Sequence, residues 1–236
     1  MTDNYTALDL ETTGLNPKLD KIIEIGAVKI RGGREEGYFQ RLVNPGRALE
    51  EQVCKLTGIN DGMLAEALDI GQVLEPLLAF IGEDILVGHR ILFDYSFVKK
   101  AAVNQGHSFE KKGVDTLKLA RKFLPDAESR KLEYLCGYYG IVSTAHRALE
   151  DARAASELYL KFAELYGEER EGEFEPQPLV YRTKKEVPIT KPQKERLYKL
   201  LNRHKIAIEC DVDKLTRNEA DRLMAQILVK YGRSGF

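Results

Sequence analysis

The chain has 236 residues, 43% of them hydrophobic and 31% charged, which marks a globular protein with a full core rather than a disordered chain. No apolar run approaches the ~20 residues of a membrane span, and the opening MTDNYTALDLE lacks the basic and apolar regions of a secretory signal. The net charge of −1 hides an asymmetry: residues 1–181 carry 22 Lys and Arg against 30 Asp and Glu, a balance of −8, and residues 182–236 carry 14 against 7, a balance of +7.

The elements follow in chain order. Residues 5–11 alternate as a strand and run into a TTG turn. IIEIGAVKI (22–30) and GYFQRLV (37–43) predict two more strands, joined by a hairpin whose Gly-Gly supplies positive φ. VLEPLLAFI (73–81) places Val73, Leu74, Leu77, Leu78 and Ile81 on one helical face, with Pro76 expected in the first turn. ILVG (85–88) is a short apolar strand. FDYSFVKKAAVNQG (93–106) reads as a helix ended by Gly106, and the next helix begins at VDTLKLARKFL with Asp115 or Thr116 as N-cap. LEYLCGYYG (132–140) is a shorter helix, and Ala148 to Tyr166 is the strongest helix of the body. Strands first, then strands alternating with helices, predict an α/β fold with a mixed sheet.

After Tyr166 the periodicity stops. The expected organisation is a body over 1–167, a linker over 168–188 and a small basic helical module over 189–236. Thr190-x-x-Gln193 and Thr216-x-x-Glu219 predict two capping boxes in that module. Its charge suggests nucleic acid, with Lys191, Lys194, Arg196, Lys199, Arg203, Arg217 and Arg222 as phosphate contacts. A docking role on another protein is the alternative. Cys54, Cys136 and Cys210 are isolated, with neither metal-ligand spacing nor a disulfide framework, so a reducing, cytoplasmic compartment is expected.

Four acids and one histidine stand out. Asp9 and Glu11 lie two apart on a strand and share a face. Like charges held side by side are costly, and a hard divalent cation relieves them. Such a pair alone is a common surface feature. Asp94 falls near the start of a predicted helix, where an acid is also simply favoured by the helix dipole. Asp151 heads an apolar stripe with Ala155, Leu158 and Phe162. His146, five residues earlier, would lie about 140° away on the same helix, so convergence with Asp151 requires it on a preceding loop.

In order, Asp9-x-Glu11, GHRILFD ending at Asp94, and His146-x-x-x-x-Asp151 resemble the three motifs of the DEDDh 3′–5′ exonucleases. These are the DnaQ-like enzymes, similar to the epsilon proofreading subunit of DNA polymerase III and to RNase T. The resemblance runs from about Tyr5 to Tyr166, and the flanks ETTG, IIEIGAV and VDTLKLAR agree with it. It implies an RNase H-like mixed sheet flanked by helices. It implies two divalent metal ions, Mg²⁺ or Mn²⁺, held by Asp9, Glu11, Asp94 and Asp151, with His146 as general base. The implied reaction is hydrolysis of the 3′-terminal phosphodiester of DNA, releasing nucleoside 5′-monophosphates in proofreading or repair. The implied partners are nucleic acid with a free 3′ end, single-stranded DNA in the leading reading, and a DNA polymerase, with no membrane.

Thr12 and Thr13 offer hydroxyls and N–H groups where a 3′ end would sit, and Leu15 an apolar contact for the terminal base; turn chemistry accounts for each equally well. Arg90 departs from the family, which usually has Asn after the His of the GH pair; its cation binds phosphate or pairs with a surface acid. His89 reads as structural and Asp115 as a helix cap. Two alternatives stay open: an exoribonuclease of the same fold, and a non-catalytic nucleic-acid-binding module of a polymerase complex.

Overall fold

The computed structural model describes residues 2–142, 147–208 and 211–232. The chain divides into two compact units, residues 1–183 and 184–236.

The first unit is built on three long antiparallel-linked strands, β1 (Tyr5–Thr12), β2 (Ile22–Arg31) and β3 (Arg34–Leu42). Gly32 and Gly33, at φ 55° and 73°, make the β2–β3 turn, the conformation a tight hairpin needs. Three helices follow: α1 (Glu51–Thr57), α2 (Asp61–Leu64) and α3 (Ile70–Ile81). Then come β4 (Leu86–Gly88), α4 (Ile91–Gln105), β5 (Lys112–Asp115), α5 (Thr116–Phe123), α6 (Leu132–Tyr139), α7 (Ala148–Tyr166) and β6 (Gln177–Pro178). The strand order is β3-β2-β1-β4-β5-β6. β4 lies parallel to β1 and to β5, and the other pairings are antiparallel, so the mixed RNase H-like sheet is present.

Period-two alternation divides the core between the sheet's two faces. Leu8 and Leu10 of β1 pack with Leu74 and Leu77 of α3 and with Ile91 and Tyr95 of α4. Tyr5 and Ala7 pack on the other face, with Leu149, Ala152, Leu158 and Phe162 of α7. The odd-numbered face of β1 is therefore the α7 face. Asp9 and Glu11 continue it.

Several expectations change. α3 starts at Ile70 because Asp69 and Gln72 form a capping box, which leaves Pro76 in the helix interior rather than its first turn. The linker expected over 168–188 is not uniform. Phe174, in a short 3₁₀ turn, is 1% exposed and stacks on Phe123, and β6 extends the sheet against β5. A one-turn helix and a two-residue strand are too short to show a period. α1 and β5 were not among the expected elements. β5 has four residues, and α1 buries only Thr57.

The second unit holds α8 (Lys191–His204) and α9 (Arg217–Tyr231). Both capping boxes form, Thr190 with Gln193 and Thr216 with Glu219. Leu197, Leu200 and Leu201 pack against Ala220, Met224 and Ile227. Arg196 and Lys199 of α8 are exposed. Among the described residues, no helix is long and apolar enough to cross a membrane.

Candidate active site

β2 prepares the ground beside β1. Its register sets Gly26 opposite Asp9 and Glu24 opposite Glu11. Directly paired residues share a face, so all four lie under the start of α7. Gly26 is there because nothing larger fits: a Cβ would overlap the Ala148 carbonyl group and the Leu149 nitrogen. The first turn of α7 thus rests on bare backbone. That brings Asp151 down beside β1, and one carboxylate oxygen from each of Asp9, Glu11 and Asp151 lies within 4.8 Å of the others.

Asp94 arrives from α4. β4 ends at Gly88, and beyond it the ladder to β1 is over. The Leu10 N–H at that edge donates instead to Asp94 Oδ1 at 3.1 Å. Asp94 is 3% exposed. Arg90, at the N-cap of α4, holds a left-handed backbone (φ 75°) and its N–H donates to Asp115 Oδ1 at 2.9 Å.

The electrostatics follow from packing acids together. Burial first, then the charges of Asp94, Asp151 and Glu11, raise Asp9 well above the usual carboxylate range. Burial likewise raises Asp94, against the pull of the Leu10 N–H. Glu11 is pushed up to about 7 by burial, Asp151 and Glu24, with Arg147 opposing. Hard oxygen donors that repel one another in a shielded place fit a divalent cation. Asp9, Glu11 and Asp151 would hold it, with Asp94 alongside.

The other expected residues divide. His146 lies outside the described residues. The Thr12 hydroxyl donates to the Gly14 carbonyl at 2.7 Å. The Thr13 hydroxyl takes the Lys21 N–H at 3.0 Å and an Arg47 N–H at 2.6 Å, and the Thr13 N–H donates to the Lys21 carbonyl. Both hydroxyls are engaged in the turn. Leu15 is 77% exposed. The Arg90 guanidinium lies over the Phe93 ring. His89 is tied on both ring nitrogens, to Thr116 Oγ1 and the Arg130 carbonyl, and burial lowers its pKa. Asp115 caps α5 by accepting from the Leu117 and Lys118 N–H groups. Sequence reasoning gave no role to Glu24 or Gly26. Their signal was a lone Glu and a lone Gly inside the apolar run IIEIGAV.

This geometry meets its relatives over the same segment. Residues 6–159 match the family model described as RNase_T: Exonuclease. The chain belongs to the exonuclease family. The DnaQ-like resemblance of its three motifs agrees with its relatives. The DNA polymerase III subunit epsilon of Aquifex aeolicus is 35% identical over 162 residues, covering 68% of this chain and 80% of that one. The DNA polymerase III PolC-type of Clostridium perfringens is 38% identical over 162 residues, 68% of this chain but 11% of its own. The chain therefore spans about a tenth of the PolC-type relatives it matches. Among solved structures, Exonuclease X in complex with 5′ overhanging duplex DNA aligns with a TM-score of 0.58 at 23% identity, over 69% of this chain and 93% of that one. The nuclease domain of 3′hExo, a DEDDh family member bound to rAMP, aligns with a TM-score of 0.61 at 20% identity, over 74% and 96%. Both share the fold.

Proposed function

We propose that the chain is a metal-dependent 3′–5′ exonuclease that hydrolyses the 3′-terminal phosphodiester of single-stranded DNA and releases nucleoside 5′-monophosphates. The observation that carries this reading is the convergence of Asp9, Glu11 and Asp151 within 4.8 Å, in a chain of the exonuclease family. Asp9, Glu11, Asp94 and Asp151 would hold two divalent ions, Mg²⁺ or Mn²⁺. When bound, such ions supply Lewis-acid polarisation of the phosphate and a more acidic water.

The chain's own groups do the rest. The four acids fix where positive charge is held, and so where the terminal phosphate sits. His146 would accept the proton of the attacking water, a role suited to imidazole as a side chain that ordinarily titrates near neutrality. Leu15, exposed beside the acid-bearing strand end, offers an apolar surface to the terminal base, and Arg90 offers a cation to a phosphate. The turn hydroxyls of Thr12 and Thr13 shape that strand end. In the second unit, Arg196 and Lys199 lie three apart on the exposed side of α8 and contact phosphates without reading sequence. The partner class is a DNA polymerase and the setting proofreading or repair in the cytoplasm, supported by the epsilon relative.

The test uses 5′-labelled DNA and RNA oligonucleotides of one sequence, with Mn²⁺, with Mg²⁺ and with chelator, and Asp9→Ala in parallel. A ladder shortening from the 3′ end, dependent on metal and lost in Asp9→Ala, is expected on DNA. Faster RNA degradation would replace DNA with RNA as substrate. No cleavage of either strand would leave a non-catalytic binding module. Arg196→Glu with Lys199→Glu is expected to weaken oligonucleotide binding and flatten its salt dependence; an unchanged slope would remove the second unit from nucleic-acid contact.

A further inference from the structure

Glu24 is a fully buried carboxylate on β2, one strand over from the acids, and its oxygens are completely engaged. Oε1 accepts from Arg147 Nη2 at 2.8 Å, from Arg147 Nε at 3.3 Å and from Gln40 Nε2 at 3.0 Å. Oε2 accepts from Arg147 Nε at 3.2 Å and from the Ala148 N–H at 3.2 Å. With both oxygens taken by donors, Glu24 is not placed to be a ligand. It is doing something else.

The first N–H groups of any helix lack partners within the helix. The N-cap residue of α7 is Arg147, whose side chain cannot accept a hydrogen bond, and no side-chain cap forms there. Glu24 supplies the acceptor from outside. Its negative charge sits at the positive end of the helix dipole, and the guanidinium of Arg147 closes the pair. Two residues further along β2, on the same face, Gly26 is the seat on which Ala148 and Leu149 rest. One strand thus fixes α7 in two ways: Gly26 sets how closely the helix approaches, and Glu24 sets where its first turn begins. Asp151 is on that first turn. Since Gly26 and Glu24 are the direct partners of Asp9 and Glu11, the same strand registers all three acids.

We propose that Glu24, with Arg147, is a positioning residue of the active site: an external cap that holds Asp151 at its working distance from Asp9 and Glu11. This rests on the exonuclease reading above. Groups that hold metal-binding side chains in place are commonly worth about 10–100-fold in metal affinity or activity.

The experiment compares full-length wild type, Glu24→Gln, Arg147→Gln, the double variant and Arg153→Ala. Arg153 ties α7 to Glu35 of β3 and to Glu150, two ion pairs that leave the Glu24 contact intact. Four quantities are read: kcat, KM for an oligonucleotide, the Mn²⁺ dissociation constant by calorimetry, and the thermal midpoint without metal. Glu24→Gln is expected to lower kcat and weaken Mn²⁺ binding about tenfold each, with KM within about twofold. Arg147→Gln should show a smaller loss of the same kind, and the double variant should be no worse than Glu24→Gln. Arg153→Ala should keep kcat and Mn²⁺ affinity. Wild-type kcat and Mn²⁺ affinity in folded Glu24→Gln would overturn the proposal, as would equal losses in Arg153→Ala. If Glu24→Gln does not fold, Arg147→Gln decides by the same readings. A wild type that cleaves nothing but binds Mn²⁺ would instead sink the exonuclease reading while the calorimetry still tests the cap.

Discussion

The helix that carries Asp151 and the two helices of the second unit begin in opposite ways. α8 and α9 each open with a capping box closed within four residues of their own. α7 has none, and its first N–H is met by a glutamate 124 residues earlier in the chain. A local box forms wherever the sequence goes helical, whatever surrounds it. A cap supplied by a strand exists only when strand and helix are both in place. The second unit therefore carries its helix starts in its sequence. The first unit makes the start of its key helix, and with it Asp151, a product of the assembled sheet. That arrangement ties the spacing of the acids to the fold.

The largest losses are expected at the acids themselves. Asp151→Asn should cost about 10²–10³-fold in kcat, the scale of losing one preorganised electrostatic group, with the thermal midpoint unchanged or raised. Steady-state cleavage and a melting curve on one preparation check both. A raised midpoint follows from relieving the repulsion that lifts Asp9 and Glu11.

The pH dependence of metal-free stability comes next. Burial and the neighbouring Asp151 and Glu24 push Glu11 up from its ordinary 4.5 to about 7 in the fold. Between those values the folded chain keeps a proton that the unfolded chain has released. The contribution is present in full below pH 4.5 and lost as pH rises toward about 7, on the order of 3 kcal/mol at most. Denaturant unfolding at pH 5 and 7.5 with chelator should show the fall, and Glu11→Gln should flatten it. Saturating Mn²⁺ should oppose it, because metal needs the deprotonated acids.

Gly26→Ala attacks the seat rather than the cap. The new methyl meets the Ala148 backbone, so a loss of about 1–3 kcal/mol in stability is expected together with a fall in kcat. The smallest effect belongs to the other unit. Thr216→Ala should cost about 1 kcal/mol, visible as faster amide exchange in α9, and leave kcat within about twofold of wild type.

The same contrast explains what was legible. Strand alternation put Asp9 and Glu11 on one face, and the stripe of Asp151, Ala155, Leu158 and Phe162 oriented α7, because both patterns repeat within one element. Thr190 and Thr216 announced their helices for the same reason. Glu24 was not legible as a cap. A Glu within an apolar strand reads alike at an open edge or under a helix, and its partners lie at 147 and 148. The Asp69–Gln72 box that moves Pro76 inward was local but went unread, since the apolar stripe begins only at Val73. Phe174 and β6 lacked a period, so their packing on the body was visible only in three dimensions.

The most direct test of the account is the first product released from single-stranded DNA labelled in its 3′-terminal nucleotide. With Mn²⁺, labelled nucleoside 5′-monophosphate is expected from the wild type, and none with chelator or from Asp9→Asn. Release of a labelled oligonucleotide or of a free labelled nucleoside, or equal release by Asp9→Asn, would contradict it.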